Sequence, residues 1–305
     1  DIYKQVIGQQ NFEMGAVVSV VLLIPALFAF SIDRYVQKRQ VAQLSVRSVP
    51  FEAKPHKRFD LVCLFYCVVI GIFIVGLIAI CQYAALIKFW PYQLSLSLVN
   101  YDFNVMDGGG WASYFNSIQL GIYTAIAGTI IVFAGAYVVE KTNGFFATRS
   151  AFQFLAMMPM AIPGLVLGLS YIFFFNDPAN PLNGLYATMG ILVVCTVTHF
   201  YTVSHLTAVT ALKQMDREFE AVASSLKQPF YRLVSSVTVP VCLPAILDIS
   251  IYLFVNAMTT VSAVIFLYSP DTTLAAIAVL NMDDAGDVAP AAAMGMMIFY
   301  TNVVA

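Results

Sequence analysis

The residues in this chain that could do bond chemistry are few, and their spacing argues against it. Ser204 and His205 are adjacent, so on a helix they diverge and cannot form a nucleophile and base pair. Gly108-Gly109-Gly110-Trp111 is a short glycine run without the lysine and following helix that a phosphate-binding loop requires. Cys63 and Cys67 share a helix face, but with no His or Cys partner nearby neither a metal site nor another cofactor is expected. What remains is chemistry of contact. Asn256, Thr259, Thr260 and Ser262 lie in an otherwise apolar stretch, where polar groups are costly and usually face a cavity. Hydroxyls and an amide can hold a polar solute there without the trapping effect of a fixed charge. The competing role is interhelical hydrogen bonding, worth about 0.6 kcal/mol per bond. His199 is open to two readings, a proton relay or a satisfied core histidine. Asp248, near the start of its stretch, suits a helix-cap or dipole role.

Two backbone features position such groups. Pro159 and Pro163 interrupt the apolar run Phe152–Phe175, and a proline inside a helix removes a hydrogen bond and clashes with the preceding turn. In a membrane such a break persists where protein or a water-filled cavity satisfies the freed carbonyls, so a pathway lining and a packing kink both fit. The second feature is polar. From Asp216 to Leu226, Phe219, Val222, Ala223 and Leu226 recur at helical spacing, with Asp216, Glu218 and Glu220 in the first turn, where the helix dipole favours acids. Pro229 is expected to end this short amphipathic helix. An acidic start argues against a helix lying on an anionic leaflet and favours docking into a groove of another protein.

Composition places all of this in a bilayer. The 305 residues are 60% hydrophobic and 10% charged, against roughly 25% charged in soluble domains. A net charge of −2 removes the basic footprint of a nucleic-acid binder. The five cysteines are odd in number and sit in or beside apolar stretches, so they read as small core residues rather than a disulfide framework.

Seven stretches approach the length of about 20 residues that a spanning helix needs: Met14–Ile32, Leu61–Ile87, Asn116–Val139, Phe152–Phe175, Tyr186–Leu206, Ala245–Tyr268 and Val288–Ala305. The intervening segments alternate in charge. Those at 33–60, 140–151 and 209–244 carry seven, two and four basic residues, thirteen of the fifteen Lys and Arg. The opposite segments hold Lys4 and Lys88 against Asp102, Asp107, Asp177, Asp271, Asp283, Asp284 and Asp287. The positive-inside rule assigns the basic face to the cytoplasm. Trp90, Tyr92, Trp111 and Tyr114 flank the longest outer loop as an expected aromatic belt. Gly121, Ala125, Gly128, Ala134 and Gly135 in the third span suit close helix contact. The fold class expected is an all-α polytopic transmembrane bundle.

At its polar loop the chain resembles the permease subunits of ATP-binding-cassette importers. Their loop reads Glu-Ala-Ala, three residues, Gly, nine residues, Ile-x-Leu-Pro. With the last proline on Pro240, the Glu position falls on Ala221 with Glu220 just before it, the Ala pair on Val222 and Ala223, and the Gly on Lys227. Val237-Thr238-Val239 takes the place of Ile-x-Leu. The spacing holds, and the missing glycine puts the turn at Lys227 in question. Asn116-Ser117-Ile118 is like the Asn-Ser start of the permease core, and Glu218–Pro240 with Leu243–Ser250 looks closest to permeases for 2-aminoethylphosphonate, which like the iron(III) permeases resemble two fused halves.

The resemblance implies a type I importer permease with no ATP hydrolysis of its own. It implies an ATP-binding subunit on the cytoplasmic side, a periplasmic or extracellular solute-binding protein, a second permease half, fused or separate, and surrounding lipid; no nucleic acid is involved. Glu218, Glu220, Ala221, Val222, Ala223, Lys227 and Pro240 would dock the ATPase. Asn256, Thr259, Thr260, Ser262, Pro159 and Pro163 would line the substrate path. Both ends of the chain read as cut from something longer. Residues 1–32 then form the last helix of a preceding half, 33–60 a basic linker, and 61–305 a second half of six spans with its coupling loop at 213–240. Substrate alternatives are iron(III) or another small solute. An ion-coupled secondary transporter using the broken fourth span, His199 and Asp248 is a different mechanism that leaves the polar loop unexplained.

Overall fold

The computed structural model describes residues 12–37, 56–89, 92–105, 108–142, 146–216 and 218–305. Trp90, Asp107, Arg217, Lys4 and positions 38–55 of the basic linker lie outside the described residues. The apolar stretches fold into helices α1 (Phe12–Gln37), α2 (Lys57–Leu86), α3 (Gly110–Lys141), α4 (Phe146–Met157), α5 (Gly164–Phe175) and α6 (Met189–Gln214). The polar loop holds α7 (Glu218–Ser225), α8 (Phe230–Leu233) and α9 (Val239–Val241), and α10 (Leu243–Thr259), α11 (Ala275–Ala285) and α12 (Val288–Val304) follow. A small antiparallel hairpin, β1 (Ile87–Phe89) with β2 (Gln93–Leu96), follows the C-terminal end of α2.

Among the described residues three helices, α2, α3 and α6, are each long and apolar enough to cross a membrane. Two bent helix pairs, 147–161 with 164–175 at 112° and 230–241 with 243–259 at 73°, are apolar and long enough when taken together, and Glu13–Ala29 and Val288–Val304 are shorter apolar helices. The chain is therefore a multi-pass all-α membrane protein. α3 lies at its centre, packed against α6 and α10. Here the small residues do their work: a Cβ on Gly121 would stand 2.8 Å from Phe254, and one on Gly128 2.7 Å from Leu253. Backbones come close where no side chain intervenes. Ala134, expected in the same seam, is exposed instead.

Several expectations change. α2 is almost wholly exposed, which suits a helix facing lipid, and it carries Cys63, Cys67 and Cys81 on its surface; only Cys195 and Cys242 are core residues. Trp111 and Tyr114 turn inward, edge to face with one another at 5.9 Å, and Trp111 meets Phe103 at 5.0 Å, while Tyr92 stays exposed. A helix does follow the glycine run, since α3 begins at Gly110, but no lysine accompanies it. Asp248 lies beyond the first turn of α10 and is exposed.

The largest differences concern the sixth span. α10 stops at Thr259, and Thr260 turns extended. Residues 261–268 form two tight turns closed by Ile265 N–H to the Val261 carbonyl (2.9 Å) and Leu267 N–H to the Val264 carbonyl (2.8 Å). Ala263, Val264, Ile265, Phe266 and Leu267 are all buried. The segment Ser269–Asp287, expected as an outer loop, contains α11, whose Ala275, Ile277, Ala278 and Met282 enter the core. It is half loop and half buried helix.

Candidate functional site

Two places gather the residues singled out by sequence. The first is the α7–α9 loop at the basic end. Asp216 opens α7 by accepting the Glu218 N–H at 3.0 Å, a turn that frees the helix N-terminus from an unsatisfied donor. α7 ends at Ser225, and the turn that closes it is at Lys227, ahead of Pro229. Lys227 has φ +52°, and the Gln228 N–H reaches back to the Ala223 carbonyl at 3.0 Å, the six-to-one bond of a Schellman cap. The position where the permease pattern has glycine thus keeps the glycine backbone conformation with a lysine side chain. Pro229 instead caps α8. Before Pro240, residues Val234–Thr238 widen into a π-turn, in which the Val239 N–H bonds the Val234 carbonyl. Proline cannot donate to a regular ladder, and the wider turn accommodates it.

This loop presents an apolar ridge. Phe219, Val222 and Leu226 recur along α7 and are exposed, as are Phe230 and Tyr231. The groove beside them, of about 470 Å³, runs between α7 and Leu233, Ser236 and Val237. Glu218 and Arg232 edge it, so charge rims an apolar floor. The other side of α7 is held to the bundle. Glu220 pairs with Lys141 at the end of α3 (2.8 Å), and the Phe230 ring stands edge-on to Tyr137 at 5.4 Å. Ala223 is half-buried between the ridge and this seat, and Pro240 is exposed. Ala221 lies within α7.

The second place is where two helix breaks meet. Pro159 sits in the 3-10 turn Met158–Ala161, and Pro163 caps α5, its carbonyl accepting the Val166 and Leu167 N–H groups at 3.0 and 3.1 Å. Immediately after it, Gly164 faces the Ser262 side chain, and a Cβ on Gly168 would lie 2.5 Å from the Ala263 carbonyl oxygen. Cys195 of α6 directs its thiol to that same carbonyl at 3.4 Å. The broken fourth span and the broken sixth span therefore interlock through two glycines. Thr260 is buried and Ser262 half-buried in this junction. Asn256 and Thr259 lie a turn away, where the Asn256 amide donates to the Tyr252 carbonyl (2.8 Å) and the Thr259 hydroxyl to the Val255 carbonyl (3.0 Å).

Sequence reasoning did not single out a further polar row. Thr207, Thr210 and Gln214 of α6 line a cleft of about 460 Å³ toward the basic end, closed by Met160 beside the proline break and Ala245 of α10. Their four-residue and three-residue spacing was the available signal. His199, half-buried, meets the Phe200 ring edge at 4.7 Å, and His205 stacks on Tyr201 at 5.5 Å while Ser204 bonds the Phe200 carbonyl. Ser204 and His205 thus face separate neighbours. At the acidic end, Asn116 bonds the Asp271 and Thr273 carbonyls (2.9 and 3.1 Å), and the Ser117 hydroxyl accepts the Ala275 N–H at 2.8 Å. The Asn-Ser pair that opens the third span is a clamp on the start of α11.

A bundle of this kind with an amphipathic helix seated on its basic end defines a transporter membrane subunit, and the chain belongs to the permease family of ATP-binding-cassette importers. It is 38% identical over 85 residues to a ferric transport system permease-like protein, AfuB, of Escherichia coli (strain K12), a match covering 28% of this chain and 71% of that one. With the ferric transport system permease protein FbpB of Actinobacillus pleuropneumoniae it shares 32% identity over 215 residues, 68% of this chain but 30% of FbpB. The chain thus spans less than a third of that relative. A 2-aminoethylphosphonate transport system permease protein, PhnV, of Salmonella typhimurium is 24% identical over 204 residues, covering 66% and 74% of the two chains. A solved bacterial alginate ABC transporter, bound to its alginate-loaded periplasmic protein, superposes with a TM-score of 0.65 at 13% identity, over 81% of this chain and 91% of that chain. No family model matches the sequence.

Proposed function

We infer that this chain is part of the translocation path of an ATP-driven importer for a small solute, in the inner membrane, with its basic face toward the cytoplasm. The observation that carries the reading is the exposed ridge Phe219, Val222 and Leu226 on a helix seated against the end of α3. An apolar helix face edged by the charges of Glu218 and Arg232 on the cytoplasmic side is a surface for a protein groove. Its occupant in this reading is a separate ATP-binding subunit, touched by Glu218, Ala221, Val222, Ala223, Lys227 and Pro240, while Glu220 turns to Lys141 of α3. Closure of that subunit on ATP would move the bundle between inward and outward states. The acidic face, with 101–111 and 269–287, would receive a periplasmic binding protein, which favours whichever state it embraces more tightly. Residues 1–32, 33–60 and 61–305 are read as the last helix of one half, a linker and a second half.

The path would run past Pro159, Pro163, Asn256, Thr259, Thr260 and Ser262 and then along Thr207, Thr210 and Gln214. Ferric iron fits it better than 2-aminoethylphosphonate, the substrate first suggested by the sequence. The Thr207, Thr210 and Thr259 hydroxyls and the Asn256 amide nitrogen already donate to backbone carbonyls of their own helices. What the hydroxyls leave open is oxygen lone pairs, and Asn256 keeps its amide oxygen beside one N–H; those oxygens suit a hard cation or the water around it. The higher identity to ferric permeases supports the same choice. The test is uptake of ferric iron and of 2-aminoethylphosphonate by cells producing the complete system. Ferric uptake that stops on ATP depletion and survives an uncoupler is expected. Uptake that ignores ATP depletion and collapses with the uncoupler would make the protein an ion-coupled carrier.

A further inference from the structure

Lys141 ends α3, and its side chain is 6% exposed, against 33% for its partner Glu220. The Lys141–Glu220 contact is the one ion pair among the described residues. An ammonium this deep is tolerated when an opposite charge and hydrogen-bonding groups surround it, and leaving it unpaired is strongly unfavourable. Glu220 is on α7, so α7 cannot leave the end of α3 without stranding that charge. A second contact works in the same direction: Tyr137, one turn before Lys141, holds the Phe230 ring of α8 at 5.4 Å. α4 also anchors here, through the Arg149 guanidinium on the Val139 carbonyl of α3 (2.7 Å from Nε). The opposite end of α3 carries the Asn116 and Ser117 clamp on α11. One continuous helix of 32 residues therefore joins the α7 loop to the acidic-end helix.

We propose that Lys141 is a positioning residue that latches α7 to α3 through Glu220, so that a push on α7 is delivered to α3 and, along it, to the clamp on α11. This rests on the reading of α7 as the ATPase-docking helix. The latch differs from docking itself, because the Lys141 side chain is 6% exposed and pairs with Glu220, whereas the ridge of Phe219, Val222 and Leu226 is exposed. It also differs from simple stabilisation. Neutralising both partners removes the hold without leaving a buried charge, a change that is often neutral for folding, whereas neutralising Glu220 alone strands the ammonium.

The experiment uses the complete permease purified with its ATP-binding subunit, as wild type, E220Q, K141R and the double variant K141M/E220Q. Two quantities are read: amide hydrogen exchange across Glu218–Leu226, and the stimulation of ATP hydrolysis by the cognate binding protein purified with the ligand it retains. In the double variant the ATPase still co-purifies, exchange in α7 accelerates by about tenfold, and stimulation falls by at least about fivefold. K141R keeps stimulation within about twofold of wild type, since the charge remains. A double variant that exchanges and responds like wild type overturns the latch while leaving the importer reading intact. A wild type that binds no ATPase, or whose hydrolysis never responds to the binding protein, overturns the importer reading, and the latch with it.

Discussion

Lys227 shows how a residue can be absent from a motif while its backbone role persists. The φ of +52° is a conformation in which most side chains are strained and glycine is at ease. Pro229 was the visible stop signal in the sequence, but α7 already ends at Ser225, closed by the turn at Lys227 and the bond from the Gln228 N–H to the Ala223 carbonyl. Only the pattern spacing pointed to Lys227. Lys227→Gly is expected to stabilise the end of α7 by about 0.5–1 kcal/mol, seen as slower amide exchange at Leu226–Gln228, and Lys227→Val to do the reverse. Equal exchange in both variants would mean that this backbone conformation carries no strain. Other single residues were less legible. The chemical roles of Asn116 and Ser117 are hydrogen bonds to a segment more than 150 positions away, which no local spacing encodes. Lys141 counted among the basic residues by its sign alone, and its burial appears only when α7 folds over it.

Among the elements, those punctuated by proline were readable and those broken by tertiary contact were not. Pro159 and Pro163 announce the 112° bend between α4 and α5, because a missing N–H and a steric clash act within one turn. The sixth span carries no such mark from Thr259 to Tyr268, and its apolar run reads as one helix. Its turns at 261–268 fit because Gly164 and Gly168 of α5 leave room for the Ser262 and Ala263 backbone. Likewise α11 looks like a loop in the sequence, since Asp283 and Asp284 dominate it, yet its opposite face is apolar and buried. The junction yields a prediction at this scale. In Gly168→Val the new side chain must enter the space of the Ala263 carbonyl, at an overpacking penalty of about 1–3 kcal/mol. Thermal unfolding of the purified protein should show it, with Gly295→Val, where a Cβ meets nothing within 4 Å, as the neutral control. Equal midpoints for the two variants would contradict the interlock.

For the whole molecule, the near-zero net charge averages over segments of alternating sign, and thirteen of the fifteen basic residues fall in the three segments 33–60, 140–151 and 209–244. The apolar stretches made the membrane bundle legible, because bilayer thickness acts on sequence directly, and the charge asymmetry is the ground for the proposed orientation. The solute path was legible only in part, since which polar side chains still have a free donor or acceptor depends on hydrogen bonds already made inside each helix. The central claim, that α7 is the point where an ATP-binding subunit engages this protein, is a statement about the assembled molecule and is tested most directly by co-purification. Wild-type permease should carry a phosphate-loop ATPase through purification, and Val222→Glu, which sets a carboxylate on the exposed ridge, should reduce its recovery by at least about tenfold, the equivalent of about 1.4 kcal/mol. Equal recovery of the ATPase with wild type and Val222→Glu, or none with wild type, would contradict it.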